Sequence, residues 1–288
     1  MRLPSRLLRR KPDTHKGDFG HVFILAGSLK FSGAALLCAE AALRSGSGLV
    51  TLGVPEGIAV SIIKIKPREI MLLPLAQTKQ GGFSEKGYAQ IKDFIKKADV
   101  LVIGPGLGRE KRTGVLTRKL IASVSISTVI DADGLNALVG HLQILRANRK
   151  TGGQTKILTP HPGEMARLAG ISVKKVQEER KKISCKFAKD NRITLVLKGH
   201  KTVVTDYKGN LYINKTGNPG MSTAGSGDVL SGMIGAFLGQ GLDAFSSAKY
   251  AVYLHGLAGD MAAKEKTEIS LIASDIIEKI PEAIKRCS

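Results

Sequence analysis

A glycine-rich stretch that ends in a carboxylate is the part of this sequence best suited to chemistry. Residues 218–230 read Asn-Pro-Gly-Met-Ser-Thr-Ala-Gly-Ser-Gly-Asp-Val-Leu, and an apolar run follows. Gly225 and Gly227 permit positive φ angles and a close approach of a ligand to the backbone. The helix predicted to begin near Asp228 directs unpaired N–H groups and the positive end of its dipole into this turn. The stretch therefore predicts a phosphate-binding site.

Asp228 is unusual in such a place, because a carboxylate directed at a bound phosphate would repel it. One interpretation makes it the N-cap of the helix, a position that Asp often occupies. The other makes it a general base, which takes the proton of a substrate hydroxyl while that hydroxyl attacks phosphorus. The stretch by itself leaves both interpretations open.

A cationic loop follows another predicted strand. The apolar run at 193–197 leads into Lys-Gly-His-Lys-Thr at 198–202. Lys198 and Lys201 can neutralise the charge of a phosphate, and the backbone of the turn can face an adenine or its ribose. We expect this loop to form a second part of the same site.

Three more polar or glycine-rich loops also follow apolar runs. Residues 104–108 read Gly-Pro-Gly-Leu-Gly, and His161 lies between two prolines, which suits rigid recognition. Asp131 and Asp133 can hold a hydrated Mg²⁺ or a ribose hydroxyl, or they can cap the following helix. Of these roles, the first is favoured slightly.

The elements that must position these loops alternate along the chain as strand, loop and helix. Such an order predicts one doubly wound or three-layer α/β domain, whose site lies at the carboxyl ends of a mainly parallel sheet. The length of 288 residues is sufficient for one large core, and no linker divides it. A long charged helix is predicted over 173–189, with Val176, Ile183 and Phe187 on its inner side.

The composition limits the classes of partner. There are 44 Lys and Arg against 24 Asp and Glu, a formal charge of +20, which raises the question of nucleic acid. Aromatic residues make up only 5% and tryptophan is absent, so a stacking surface for single strands is poorly supported. We therefore expect no specific nucleic-acid binding, and attribute the charge to solvated lysine-rich faces and a polyanionic small ligand.

The remaining features indicate a cytoplasmic protein. Cys38, Cys185 and Cys287 match no metal-ligand or redox spacing and are interpreted as ordinary thiols. No apolar run has the length of a membrane span, so no membrane association is expected. Residues 1–15 form a basic N-terminal segment without the apolar region of a signal peptide, and core-like sequence begins by about Lys16.

Taken together and in order, these motifs resemble a known family. The chain is similar to the ADP-dependent NAD(P)H-hydrate dehydratases from about residue 16 to 280. The resemblance implies a ribokinase-like three-layer α/β/α fold with a central mainly parallel sheet. The motifs that carry it are Lys16-Gly17-Asp18-Phe19-Gly20, Ala26-Gly27-Ser28 with Ser32-Gly33-Ala34-Ala35, residues 104–108, residues 131–136, residues 159–164, Lys198-Gly199 and residues 218–228.

The resemblance also implies a reaction and a set of site residues. In this family ADP, with Mg²⁺, donates a phosphoryl group to the hydroxyl of NADHX or NADPHX, the hydrated forms of NADH and NADPH; elimination then yields NAD(P)H, AMP and phosphate. By motif, the hydrated dinucleotide would contact Ala34, Gly106, His161 and Asp228, with Asp228 as the base. The adenine nucleotide would be held by Lys198, Gly199, His200, Lys201, Thr202, Gly225 and Gly227.

Other expectations follow from how the chain departs from its relatives. Many of them carry an NAD(P)HX epimerase domain, and this chain begins almost at the dehydratase motif, so we expect a stand-alone dehydratase that works with a separate epimerase. A homo-oligomer is expected from the resemblance. The alternative functions are an ATP-dependent small-molecule alcohol kinase of the same fold, which shares the phosphoryl-transfer step, and a basic binding protein with steeply salt-dependent nucleic-acid binding.

Overall fold

A single nine-stranded sheet forms the centre of the computed structural model, which describes residues 1–146 and 154–288. The strand order is β3-β2-β1-β4-β5-β6-β7-β8-β9; β1 to β7 pair in parallel, and the last two pairings are antiparallel. The strands are β1 (His21–Leu25), β2 (Leu49–Pro55), β3 (Ile70–Leu75), β4 (Val100–Ile103), β5 (Ser127–Ile130), β6 (Lys156–Leu158), β7 (Thr194–Leu197), β8 (Val203–Asp206) and β9 (Leu211–Ile213).

Helices connect the parallel strands and cover both faces of the sheet. In the described ranges they are α1 (Ser5–Leu8), α2 (Ser32–Arg44), α3 (Glu56–Ile65), α4 (Tyr88–Ile95), α5 (Lys111–Ser123), α6 (Ala132–Leu138), α7 (Pro162–Ala169), α8 (Val173–Glu178), α9 (Arg180–Asn191), α10 (Ser226–Gly239), α11 (Ala244–Lys266) and α12 (Ala273–Arg286). The buried side chains of α2, α3 and α10 to α12 form one core, and those of α4 to α9 form the other.

The central strand β1 shows how the two cores divide. Val22 and Ile24 enter the first core, while Phe23 and Leu25 enter the second, because successive side chains of a strand point to opposite faces. All four are almost fully buried, as expected for a parallel strand covered on both faces. The predicted three-layer α/β/α architecture with a mainly parallel sheet is confirmed.

The charged segment predicted as one helix over 173–189 is two helices, α8 and α9. Glu179 leaves the helical region, with φ −117° and ψ 32°. Directly after it, the Arg180 guanidinium donates hydrogen bonds to the carbonyl oxygens of Leu197 (2.9 Å) and Lys198 (3.1 Å). The apolar spacing of the sequence did not show this break, which ties α9 to the end of β7 and to the loop that carries Lys198.

The basic N-terminal segment packs on the rest of the chain. Leu3 is buried, and its backbone N–H donates to the carbonyl of Cys287. The Arg6 guanidinium donates to the carbonyl of Gln240 at 2.6 Å. This basic segment therefore contributes contacts to the fold as well as charge.

Candidate active site

The glycine-rich stretch forms the N-terminus of α10. Gly225 is the N-cap, with φ 89°, and a Cβ atom there would lie 2.4 Å from Leu37 Cδ1. Gly227 lies inside the first helical turn, so it is needed for space and not for a positive φ. Asp228 also lies in the first turn, beyond the cap, and the N-cap interpretation of Asp228 is therefore wrong.

Asp228 is largely buried, and more acidic than basic side chains act on it. Burial raises its pKa to about 7; Asp131, Glu164 and Asp133 add to the rise, while Lys198 opposes it. A carboxylate with a pKa near neutrality is ionised in a substantial fraction of molecules and still binds a proton well, which is what a general base requires. This is the strongest functional signal in the structure.

Lys198 lies directly beside the start of α10. A Cβ atom on Gly227 would be 3.1 Å from Lys198 Nζ, so the glycine makes room for the ammonium group. Lys198 Nζ donates to Asp131 Oδ1 at 2.7 Å, and Ser231 Oγ donates to Asp131 Oδ2 at 2.8 Å. Burial lowers the pKa of Lys198, but its attraction to Asp131 and Glu164, among other acidic groups, is larger in sum and raises it. The lysine is therefore charged at neutral pH.

Asp131 and Asp133 make different contacts although they are two residues apart. The Asp131 carboxylate forms no cap on α6 and is 1% exposed, with both oxygens engaged by Lys198 and Ser231. Asp133 accepts from the backbone N–H of Gly108 (2.9 Å) and from Asn136 Nδ2 (3.1 Å). Asp133 thus holds the loop at 104–108. In the described ranges no cluster of His, Cys, Asp and Glu side chains suits a metal ion.

Ala34 and Gly106, from distant parts of the sequence, meet in the structure. Gly106 has φ 63°, and a Cβ atom on it would lie 2.9 Å from Ala34 Cβ and 2.7 Å from the carbonyl oxygen of Phe31. Ser28 Oγ donates to the Gly106 carbonyl at 2.8 Å. The start of α2 and the loop after β4 therefore form one continuous surface of small residues. The sequence motifs predicted that Ala34 and Gly106 belong to the same site, and the structure brings them together.

His161 is the N-cap of α7, and this role fixes its tautomer. Its Nδ1 accepts from the backbone N–H groups of Gly163 (3.0 Å) and Glu164 (3.4 Å), so the neutral ring carries its proton on Nε2. Burial and the nearby charges of Lys198 and Arg167 lower the pKa of His161. The half-exposed ring therefore carries an N–H group on Nε2 at neutral pH, and Glu164 Oε1 lies 3.5 Å from that nitrogen.

The loop at 198–202 has an irregular backbone. Gly199 has φ 124° and Lys201 has φ 54°, and Thr202 Oγ1 donates to the Gly199 carbonyl at 2.9 Å. The side chains of His200 and Lys201 are exposed. Of the residues predicted in this loop, the structure brings Lys198 next to Gly227. The nucleotide-binding role of all five residues stays a prediction.

Three polar residues near Asp228 were not assigned a role from the sequence. Glu164 is buried, its pKa is raised by burial, and its side chain accepts from the backbone N–H of His161. Its spacing of three residues from His161 is a recognisable capping signal. Ser231 follows Asp228 by three residues on the same helix face. Buried His255 lies 3.4 Å from Ser226 Oγ, and burial lowers its pKa to about 4, so it is a neutral interior histidine.

The family model of the NAD(P)H-hydrate dehydratases matches residues 22–282. This chain belongs to that family. It is 42% identical to the bifunctional NAD(P)H-hydrate repair enzyme Nnr of Moorella thermoacetica, over 98% of this chain and 52% of that protein. It is 37% identical to the ADP-dependent (S)-NAD(P)H-hydrate dehydratase of Neisseria meningitidis, over 96% of this chain and 88% of that protein. The chain thus spans about half the length of the bifunctional relatives that it matches.

A solved structure of the family has the same fold. The ADP/ATP-dependent NAD(P)H-hydrate dehydratase of Bacillus subtilis, co-crystallised with ATP and Mg²⁺, aligns with a TM-score of 0.81 and 28% identity over 100% of this chain and 95% of that one. The predicted ribokinase-like fold is confirmed, as is the resemblance to the NAD(P)H-hydrate dehydratases. In the portion of the chain that the structure describes, no helix has both the length and the apolarity needed to span a membrane.

Proposed function

We propose that this protein converts NADHX and NADPHX back to NADH and NADPH, with ADP as the phosphoryl donor and AMP and phosphate as the other products. The observation that carries the proposal is Asp228, whose pKa is about 7, in the first turn of a helix whose N-terminus also adjoins the Lys198 ammonium. A base and an anion-binding site side by side suit phosphoryl transfer to a hydroxyl. The family to which the chain belongs supports the choice of hydroxyl.

In this proposal the start of α10 binds the phosphoryl group that is transferred. The N–H groups of the first turn and the helix dipole stabilise negative charge there, and the Lys198 ammonium adds a full positive charge. Mg²⁺ would accompany the nucleotide and would offset the negative charge of its phosphate groups. The Bacillus subtilis relative was co-crystallised with ATP and Mg²⁺, which supports a nucleotide as the phosphoryl donor.

Asp228 would take the proton from the ring hydroxyl while the hydroxyl oxygen bonds to phosphorus and the bond from phosphorus to the AMP oxygen breaks. The phosphate then leaves the ring carbon, expelled by the electron pair of the ring nitrogen, and loss of a proton from the adjacent carbon restores the double bond. Phosphate is a far better leaving group than hydroxide. The chain therefore has to align two substrates, remove a proton and stabilise developing charge.

The hydrated nicotinamide would lie against Ala34 and Gly106. A Cβ atom on Gly106 would clash with Ala34 and with the Phe31 carbonyl, so the small residues let the start of α2 and the loop after β4 pack closely. Together these two segments would form the surface that faces the ring. His161 would donate its Nε2–H to an oxygen of the dinucleotide, since its Nδ1 is already engaged by the backbone of α7. In this arrangement His161 would orient the substrate while Asp228 reacts with it.

Recovery of reduced nicotinamide absorbance from chemically hydrated NADH tests this function. The purified protein is mixed with the hydrate, Mg²⁺ and either ADP or ATP, with Asp228→Asn in parallel. We expect recovery with ADP and at least a hundredfold loss in the variant. A folded protein that binds ADP but restores no absorbance with either nucleotide would refute the dehydratase function. Phosphorylation of a panel of small alcohols would then examine the kinase alternative.

We further propose a functional pairing with an NAD(P)HX epimerase, supported by the relatives that are named bifunctional repair enzymes. The name of the Neisseria meningitidis relative specifies the (S) hydrate. With a mixture of both stereoisomers, recovery should slow once one isomer is consumed and resume when an epimerase is added. Equal consumption of both isomers by the protein alone would contradict this pairing.

We also propose a homo-oligomer that forms through the outer face of α3 and the edge strand β3. Val60, Ile63 and Ile65 of α3 are each more than half exposed, and Met71 of β3 is 41% exposed. α3 packs on β2 and β3, so its exposed side chains form an apolar surface at the sheet edge, and Met71 adds apolar area on the opposite face of β3. Among the described residues, β3 has no partner strand on its outer side. Sedimentation of the wild type and of Ile63→Glu tests this: the variant should shift to a smaller species, whereas two monomeric proteins would refute the proposal.

A further inference from the structure

We propose that Asp131 and Ser231 are positioning residues, which hold the Lys198 ammonium at the N-terminus of α10, where it meets the transferred phosphoryl group, and away from Asp228. This inference rests on the proposed function for its catalytic consequence. Asp131, after β5, accepts hydrogen bonds from Lys198, after β7, and from Ser231 in α10. The Lys198 ammonium group also lies close to Gly227, in the first turn of α10.

The anchor is rigid because every part of it is buried or hydrogen-bonded. Asp131 follows β5, and its backbone N–H donates to the carbonyl of Ile103 in β4. A Cβ atom on Gly104 would lie only 1.8 Å from the Asp131 carbonyl oxygen, so the two backbones are in close contact. Ser231 is fully buried in α10 and engages the carboxylate oxygen that Lys198 leaves unused. The carboxylate thus has one position, and so does the ammonium group bound to it.

Without such an anchor, Lys198 would have other partners. Its long stem is flexible and its side chain is 18% exposed. Asp228 and Glu164 also attract it, as their effect on its pKa shows. An ion pair between Lys198 and Asp228 would lower the proton affinity of the base and remove the ammonium group from the phosphate site. By binding Lys198 itself, Asp131 prevents this pairing.

Asp131 also acts on Asp228 through its own charge. In the part of the chain that the structure describes, the acidic groups that act on Asp228 are Asp131 after β5, Asp133 in α6, Glu164 in α7 and the thiol of Cys38 in α2. The cation among its neighbours there is Lys198, at the end of β7. After burial, Asp131 contributes the largest effect on Asp228. Neutralising Asp131 should therefore change both the position of the ammonium group and the proton affinity of the base.

A double-mutant cycle of Asp131→Asn and Lys198→Met tests the proposal. We expect Asp131→Asn to lower kcat at least about tenfold, to weaken ADP binding in calorimetry, and to move the acid limb of the pH–rate profile down by about one pH unit. In the Lys198→Met background the same substitution should weaken ADP binding much less, since the residue that it positions is gone. Ser231→Ala should act in the same direction as Asp131→Asn but less strongly.

Asp206→Asn is the matched control, because Asp206 is also a buried carboxylate with an internal role, accepting from Lys208 and Asn210 in the β8–β9 turn. It should lower the melting temperature and leave ADP affinity and the pH–rate profile unchanged.

Additive effects of Asp131→Asn and Lys198→Met on ADP binding would overturn the proposal, as would an unshifted acid limb of the pH–rate profile. If Asp131→Asn does not fold, the cycle of Ser231→Ala with Lys198→Met decides by the same criterion. ADP binding can be measured without turnover. If the protein lacks dehydratase activity but the effects of Asp131→Asn and Lys198→Met on ADP affinity are still not additive, the proposed function is refuted and the positioning role of Asp131 is supported.

Discussion

Replacing Asp228, the proposed base, with asparagine should make the protein more stable, and the gain in stability should depend on pH. Asp228 has a pKa raised from 3.8 to about 7, first because burial disfavours its charged form. The folded state therefore binds the proton of Asp228 more tightly than the unfolded state does. This contribution to stability is fully present below pH 3.8 and is lost as the pH rises through about 7. Above that pH, the ionised carboxylate destabilises the native protein.

The expected gain in stability follows from the difference between the pKa of Asp228 in the folded and in the unfolded state. A difference of about three pH units corresponds to roughly 4 kcal/mol, and the partial exposure of Asp228 reduces this to about 2 to 4 kcal/mol at pH 8. Asp228→Asn keeps the shape of the side chain and removes the charge. The variant should therefore be inactive, close to the wild type in stability near pH 4, and higher in melting temperature by several degrees at pH 8.

Calorimetric melting of both proteins at matched ionic strength between pH 4 and 8 measures the difference. Asp190→Asn, which removes an exposed carboxylate paired with Lys186, is the control and should change stability by less than about 1 kcal/mol at every pH. An Asp228→Asn protein that melts below the wild type at pH 8 would refute the reasoning. So would a stability difference that stays constant from pH 4 to 8.

Three further predictions concern the site. Lys198→Met should reduce kcat by about 10² to 10³, measured in the recovery assay, because one fixed positive charge is lost from the phosphate site. Gly225→Ala should lower stability by about 2 kcal/mol in chemical denaturation, since its φ of 89° and the nearby Leu37 side chain both oppose a Cβ atom. His161→Asn should raise the KM for the hydrated dinucleotide without changing the melting temperature, because Asn retains the N-cap and removes the ring donor; an unchanged KM would exclude substrate contact by His161.

The sequence was sufficient to predict the fold class and the place of Asp228 near the start of a helix. A glycine-rich turn before an apolar run is typical of a helix N-terminus. Gly225 and Asp228 lie in such a turn, so the sequence predicted both the start of the helix and the presence of an acid beside it. The loops at strand ends could likewise be assigned to one edge of the sheet. Turns and helix ends are determined mainly by residues that are adjacent in the sequence, so they can be predicted from it.

Contacts between distant residues were not readable in the same way. Lys198 and Asp131 are separated by 67 positions, and their pairing depends on the neighbouring positions of β5, β6 and β7 in the sheet. For that reason Asp131 was interpreted as a ligand for Mg²⁺ or ribose or as a cap, whereas its oxygens bind a lysine and a serine. The break between α8 and α9 has a similar origin, because Arg180 binds carbonyl groups that follow in the next strand.

The pairing of Lys198 with Asp131 would allow the proposed site to hold both a carboxylate that acts as a base and the phosphate group of a nucleotide. A base with a pKa near 7 requires burial and acidic neighbours, which repel phosphate. A phosphate site requires a cation, which would lower the pKa of the base if the two formed a direct ion pair. Because Asp131 binds the ammonium group, Lys198 stays close enough to attract phosphate and remains paired with a different acid. Asp228 thus keeps the proton affinity that its proposed role as a base requires.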